Sequence, residues 1–348
     1  MVTLDHLIVI SGDEWLKHTR LVPIFILSLF LLAGVVSGAG TTQTTEIRNI
    51  DFMLESGALS DLSGITVGIY ESYMNYVDLR VNESRTALVN MFTWMNASII
   101  VFNTTDLLNG VLWACEVLAI PEGLGPTIEN RLTDAGIQTI QNWVAHGGSY
   151  IGVRGSAAIA VRDSYFEGAN TTFDLALING TSIEVTEFPD EVMTNVSINV
   201  ECSEPNLSQM PDKLSVLFET GRYFVPHEGQ EIITIANYTH NNVPAMIAAE
   251  YGKGNLFISS PHFEYEENDD RDGTDYKDEF DDTDSEWPLL LTITRWLIDS
   301  SPNVANITSW PYTGSTNTQY QLPIDLILVS GGLGIVIVIV AIVFAKRR

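Results

Sequence analysis

From residue 64 to residue 153, short apolar runs alternate with stretches whose apolar positions recur at helical spacing. "GITVGIY" (residues 64–70) is rich in β-branched residues and predicts a first central strand. A helix over residues 82–95 follows, then strands at "SIIVFN" (98–103) and "EVLAIPEG" (116–123). Ile137, Ile140 and Val144 fall on one helix face that ends at Gly147-Gly148, and "SYIGV" (149–153) supplies a fourth strand. Strands and helices in alternation imply right-handed βαβ units, hence an α/β fold with a mostly parallel central sheet. Residues 171–200 read as a strand-rich, antiparallel excursion. Residues 245–265 read as two strands joined at Gly252-Lys253-Gly254, and residues 287–298 as a closing helix with Pro288 in its first turn.

Two longer apolar segments lie outside this pattern. Residues 21–38, "LVPIFILSLFLLAGVVSG", follow Lys17, His18 and Arg20 and end in small residues, as a signal peptide does. Cleavage after Ala39 and retention as an anchor both remain open. "LILVSGGLGIVIVIVAIVFA" (326–345) is long enough to cross a hydrocarbon core, and Lys346-Arg347-Arg348 behind it should stay cytoplasmic. Residues 324–345 are therefore expected to form a transmembrane helix, preceded by a Ser/Thr/Asn-rich stalk over 301–322. The folded domain lies between, over 46–300. The expected location is the cell membrane, with a single pass and the bulk of the chain extracellular.

Composition changes this picture in two ways. The 348 residues carry 17 Lys+Arg against 44 Asp+Glu, a net charge of -27, which argues against nucleic acid or anionic lipid as a partner because phosphate contacts need basic patches. Nine Asn-X-Ser/Thr sequons fall between the two apolar segments, at Asn82, Asn96, Asn103, Asn170, Asn179, Asn195, Asn206, Asn237 and Asn306. Their distribution fits an exported glycoprotein. Cys115 and Cys202 are the only cysteines, so one disulfide is open to the chain outside the cell; a plain buried thiol is the other reading of Cys115.

Three segments carry the candidate chemistry: "AIPEG" ending a strand, "GGSYIGVRGSA" forming a strand, elbow and helix start, and "YGKGNLFISSPHFE" placing His262 and Glu264 after a late strand. Their order resembles the class I glutamine amidotransferase-like fold, and within it most closely the biotin-protein ligase N-terminal-like domain. The resemblance implies a flavodoxin-like three-layer sandwich. It also implies a cysteine on the elbow, activated by the following helix start, with a histidine as base and a carboxylate to orient that histidine. On this chain the base position falls on His262 and the orienting acid on Glu264, with Phe263 where proline is usual. Pro121-Glu122-Gly123 stands near the expected oxyanion loop.

The elbow tip departs from the pattern. Arg154 occupies the thiol's place, and a guanidinium stays protonated and cannot attack a carbonyl. Ser156, two residues on, is a weak substitute. Two readings of Arg154 remain: with Gly155 and Gly123 it binds a small anionic ligand, or it pairs with Glu122 or Glu264 and plugs a vestigial site. The sequence thus predicts a membrane-anchored pseudoenzyme acting in ligand binding or surface organisation, with small anions or surface proteins as partners. One alternative is an amidase or hydrolase using His262 and Glu264 with another nucleophile or a metal.

The last motif is an acidic run over residues 264–286, with thirteen acids against Arg271 and Lys277. Within it, Asn268, Asp270, Asp272, Thr274 and Glu279, around Gly273, follow the spacing of an EF-type Ca²⁺ loop. Against that, the flanking helices are missing and Asp275 stands where an aliphatic belongs. A solvated acidic loop and a calcium-stabilised envelope or adhesion module are the competing expectations.

Overall fold

Nine strands form one sheet in the order β2-β1-β3-β4-β13-β12-β11-β8-β9. The computed structural model describes residues 61–301, apart from 72–78, 190, 267–269, 281 and 283. The elements are β1 (Thr66–Tyr70), α1 (Leu79–Trp94), β2 (Ser98–Phe102), α2 (Thr104–Leu108), β3 (Val117–Ile120), α3 (Gly125–Ala145), β4 (Ser149–Val153) and α4 (Gly155–Ile159). They continue with β5 (Val161–Phe166), β6 (Ala169–Thr172), β7 (Ile178–Glu184), β8 (Glu191–Ile198), β9 (Lys213–Glu219) and β10 (Arg222–Pro226). The domain closes with β11 (Ile233–Tyr238), β12 (Pro244–Tyr251), β13 (Gly254–Ser259) and α5 (Trp287–Asp299).

The fold is mixed α/β with a large sheet, and the strands and helices read from the sequence between residues 64 and 298 are present. The proportion of parallel pairing differs. The β1–β2, β1–β3, β3–β4 and β4–β13 pairs are parallel. The β13–β12, β12–β11, β11–β8 and β8–β9 pairs are antiparallel. Half of the large sheet is thus antiparallel, because the two-residue turn at Gly252-Lys253 reverses the chain and the strands beyond it pair as neighbours. A second sheet, ordered β10-β7-β5-β6, is built from the excursion that follows α4.

Alternate strand residues sort into two apolar faces, as a period of two requires. Leu118, Ile120, Tyr150, Leu256 and Ile258 pack with Ile128, Leu132, Ile140 and Val144 of α3 in one buried cluster. The opposite residues Val67, Ile69, Val117, Ile151 and Phe257 are equally buried. On that side the Ser149 hydroxyl donates to the Leu297 carbonyl of α5 at 3.2 Å, and the Trp94 and Trp287 rings join α1 to α5 at 5.6 Å. Helix α3 is interrupted at Thr133, which has φ 63° and ψ 161°.

Cys115 and Cys202 are both free, so the disulfide open to the sequence is not formed. Cys115 precedes β3 and Cys202 follows β8, which stand five strands apart in the sheet; at the usual strand spacing that is on the order of 20 Å, far beyond disulfide reach. Burial pushes the Cys115 thiol up to about 12, which makes it an inert core group. Seven sequon asparagines, Asn82, Asn96, Asn103, Asn170, Asn179, Asn195 and Asn206, are exposed, and Asn237 on β11 is half-buried. Among the described residues no helix is long and apolar enough to cross a membrane. The two terminal apolar segments, the stalk beyond residue 301 and Asn306 lie outside the described residues.

Candidate functional site

The elbow between β4 and α4 brings the predicted residues together. Arg154 holds φ 51° and ψ −103°, a left-handed conformation that costs a non-glycine residue roughly 1–3 kcal/mol. Its amide is tied to the Ser259 carbonyl of β13 at 2.8 Å, and its carbonyl accepts from Ala158 at 2.9 Å. The turn is therefore overdetermined by a neighbouring strand and by the helix it opens. Gly155 permits the tightness, because a Cβ there would lie 1.6 Å from the Gly123 carbonyl oxygen.

The Arg154 guanidinium is spent on protein acceptors. Nη1 donates to Glu122 Oε2 at 2.8 Å and Nε to the Glu219 carbonyl at 2.6 Å, while Nη2 donates to the Thr220 hydroxyl. Nη2 also lies 3.7 Å from Glu219 Oε1. Of the two pairings open to the sequence, Glu122 is the one made; Glu264 is engaged elsewhere. Thr220 and Gly221 form the turn by which the chain leaves β9 in the large sheet for β10 in the small one. Arg154 thus clamps three segments: the loop after β3, the elbow and the sheet-to-sheet crossing.

His262 and Glu264 meet as predicted. Glu264 Oε1 lies 3.0 Å from His262 Nδ1 and accepts from the Ser84 hydroxyl of α1 at 2.7 Å. Ser84 Oγ in turn accepts from the Glu122 amide at 3.1 Å. On the other side of the ring, Nε2 stands 3.5 Å from Glu122 Oε2 and 3.6 Å from Glu219 Oε2, and makes no hydrogen bond. His262, Glu122, Glu219 and Glu264 are all buried. Burial opposes a charged imidazole, yet Glu264, Glu219 and Glu122 together push His262 up to about 10. Burial likewise opposes ionisation of Glu219, and it is overcome by His262, Arg154 and the Tyr276 hydroxyl, which donates to Oε2 at 2.8 Å; its carboxyl is held well below the usual range.

Ser156 is no nucleophile. Its hydroxyl is fully buried, lies 2.6 Å and 2.8 Å from the Ile120 and Val153 carbonyls, and accepts from the Val153 amide at 2.7 Å. It closes the elbow from inside.

Five members of this cluster escaped the sequence reading: Glu219, Ser84, Thr220, Tyr276 and Arg80, which also pairs with Glu219. Glu219 ends "KLSVLFE", a strand with an acid at its last buried position. A carboxylate closing a mostly buried strand is the faint local signal it offers.

The acidic run is knitted inward. Asp272 is buried and its carboxylate accepts from the Thr274 amide at 2.9 Å and the Glu266 amide at 3.2 Å. Arg271 pairs with Glu266 and lies over the Trp287 ring at 4.4 Å. Glu279 is 67% exposed and lies 3.9 Å from Lys277. Among the described residues, to which Asn268 does not belong, the carboxylates of Asp270, Asp272 and Glu279 do not all lie within 4.8 Å of one another. The physical reason is that the Asp272 oxygens serve their own loop as an Asx turn. The fully solvated loop is also excluded, since Glu264, Glu266, Asp272, Asp282 and Glu286 are buried.

Comparison with known proteins places this geometry in a family context. The family model described as biotin-protein ligase, N terminal, matches residues 87–287, more than half of the chain. None of the curated proteins matches it. Similar solved structures include a putative thua-like protein from Bacteroides uniformis, 11% identical, covering 69% of this chain and 93% of its own at a TM-score of 0.46. A glutamine amidotransferase is 13% identical, covering 67% and 97% at 0.43. A beta-galactosidase from Bacillus circulans sp. alkalophilus is 12% identical, covering 63% and 32% at 0.39.

Proposed function

The chain belongs to the biotin-protein ligase N-terminal family, within the class I glutamine amidotransferase-like group, and from that premise we propose that it is a catalytically inactive, membrane-anchored surface domain. One observation carries this reading. At the tip of the elbow, where the resemblance expects a thiol, a guanidinium donates to Glu122, the Glu219 carbonyl and Thr220. Neither cysteine substitutes for the missing thiol: Cys115 is buried beneath Gly68 of β1, and Cys202 lies beyond β8.

The same hydrogen bonds favour the plug over the anion clamp. Every guanidinium nitrogen already has a protein acceptor, so an anion would have to displace a buried carboxylate. In this reading the elbow has become a structural joint, and the protein acts through its outer surface in organising other surface components. The finer architecture proposed is a flavodoxin-like three-layer sandwich carried on the stalk over 301–322 and the apolar segment 326–345. The seven exposed sequons and the excess of acids support an extracellular setting.

The test is an activity panel of simple amides and esters with the full-length chain. No turnover is expected from the wild type, and Arg154→Cys gaining a slow amidase or esterase activity supports the descent from a thiol site. Wild-type hydrolysis abolished by Arg154→Ala overturns the proposal.

A further inference from the structure

Beside the Arg154 plug, Glu122 and Glu219 converge on His262, whose Nε2 no protein group satisfies. His262 Nε2 is completely buried and makes no hydrogen bond, although two carboxylates face it. Its separations of 3.5 Å from Glu122 Oε2 and 3.6 Å from Glu219 Oε2 are too long for an N–H···O bond, whose usual range is roughly 2.7–3.2 Å. They match another arrangement. Two ligands about 2.0–2.2 Å from one tetrahedral Zn²⁺ stand about 3.3–3.6 Å from each other. One ligand atom from each of the three residues can be chosen so that all lie within 4.8 Å of one another.

From this geometry we infer that Glu122, Glu219 and His262 form a site for a single divalent transition-metal ion of the Zn²⁺ type. The surroundings are those of a metal-binding imidazole. Glu264 Oε1 holds Nδ1 at 3.0 Å and Ser84 holds Glu264 at 2.7 Å, which fixes the ring and leaves Nε2 directed at the two carboxylates. The carboxylates of Glu122, Glu219 and Glu264 outnumber the guanidinium groups of Arg80 and Arg154 by one charge, which is offset either by a proton on His262 or by a metal ion that takes that proton's place on Nε2. Arg154 can keep its bond to Glu122 while the ion takes another lone pair of that carboxylate. The donor set of one imidazole and two carboxylates suits Zn²⁺ or Co²⁺; the all-oxygen shell that Ca²⁺ prefers is absent from this triad. The inference stands apart from the question of catalysis, since an ion in this place also serves a purely structural joint.

The experiment uses the full-length chain stripped with a chelator and titrated with Zn²⁺ by calorimetry and with Co²⁺ by visible absorption. One ion per chain is expected, with micromolar or tighter affinity and the intense absorption of low-coordinate Co²⁺. His262→Gln, which keeps much of the ring's volume, is expected to weaken binding roughly a hundredfold or more. Absence of binding overturns the inference. So does undiminished binding by His262→Gln, which would place the ion elsewhere, for example on Asp282, Asp284 and Glu286. If that variant does not fold, the wild-type Co²⁺ complex with ¹⁵N-labelled histidine decides: one hyperfine-shifted imidazole N–H is expected, and its absence overturns the site. Amide and ester turnover is read separately, so the outcome for the plug and the outcome for the ion are distinguishable.

Discussion

Gly155 rests on the Gly123 carbonyl so closely that a Cβ on Gly155 would lie 1.6 Å from that oxygen. The contact is backbone against backbone, so no side chain can turn aside to relieve it. Gly155→Ala must push the elbow off the loop after β3, and a destabilisation of about 3 kcal/mol or more is expected in urea unfolding. Gly229 is the control: its φ is +82° but nothing lies within 4 Å of its added Cβ. Gly229→Ala should cost only about 1 kcal/mol, the backbone term alone.

Arg154 neutralises buried acids, and its removal should therefore cost more than the hydrogen bonds it makes. Arg154→Ala leaves Glu122 without its guanidinium partner, and a loss of about 3–5 kcal/mol is expected by the same measurement. Arg154→Lys should recover little. One ammonium cannot reach the Glu219 carbonyl, Thr220 and Glu122 from the positions the fork serves.

Ser156 separates a structural hydroxyl from a reactive one. Ser156→Ala leaves the buried Val153 amide without its acceptor, and a loss of about 1–3 kcal/mol is expected. Amide and ester assays should be unchanged by it, whatever the wild type gives, because the hydroxyl is turned into the backbone between β3 and β4.

The acidic run predicts a pH dependence of stability. Burial first, and then the neighbouring Asp282, push Asp284 up to about 7. The folded state thus holds this proton more tightly than the unfolded chain does. Stability contributed by Asp284 is complete below its ordinary value near 3.8 and is lost as pH rises through about 7. Because the group is partly exposed, solvent screening reduces the effect to about 1–2 kcal/mol. Asp284→Asn should flatten the dependence of the urea midpoint on pH between 4 and 8, in the manner of a removed titrating group.

Much of this architecture is written locally, and the rest is not. β1, β3 and β4 are legible because β-branched runs bounded by glycine or proline have few other conformations. The parallel share was overread, since β8 and β9 join the large sheet only through the β8–β11 pairing of non-consecutive strands, which no local pattern encodes. His262, Glu264, Glu122 and Arg154 were legible because motif spacing marks them. Glu219 was not, because its partner Arg154 lies 65 residues away and nothing beside it in "LFETGR" announces a site. The inward turn of Arg271 was hidden for another reason: in a run of acids, one arginine reads as a solvated counter-charge, while its seat on Trp287 is a tertiary contact.

The clamp at Thr220 also bears on how the chain folds. Its members come from α1, from the loops after β3, β4 and β9, and from the residues just past β13, so no single supersecondary unit contains it. Each closure spans tens of residues, and its entropy must be spent before the charges meet. Until β13 docks, Glu122 and Glu219 face Arg154 without His262 behind them. The cluster therefore completes only when the large sheet is in place, and a chain with that sheet misregistered leaves like charges unpaired at its centre.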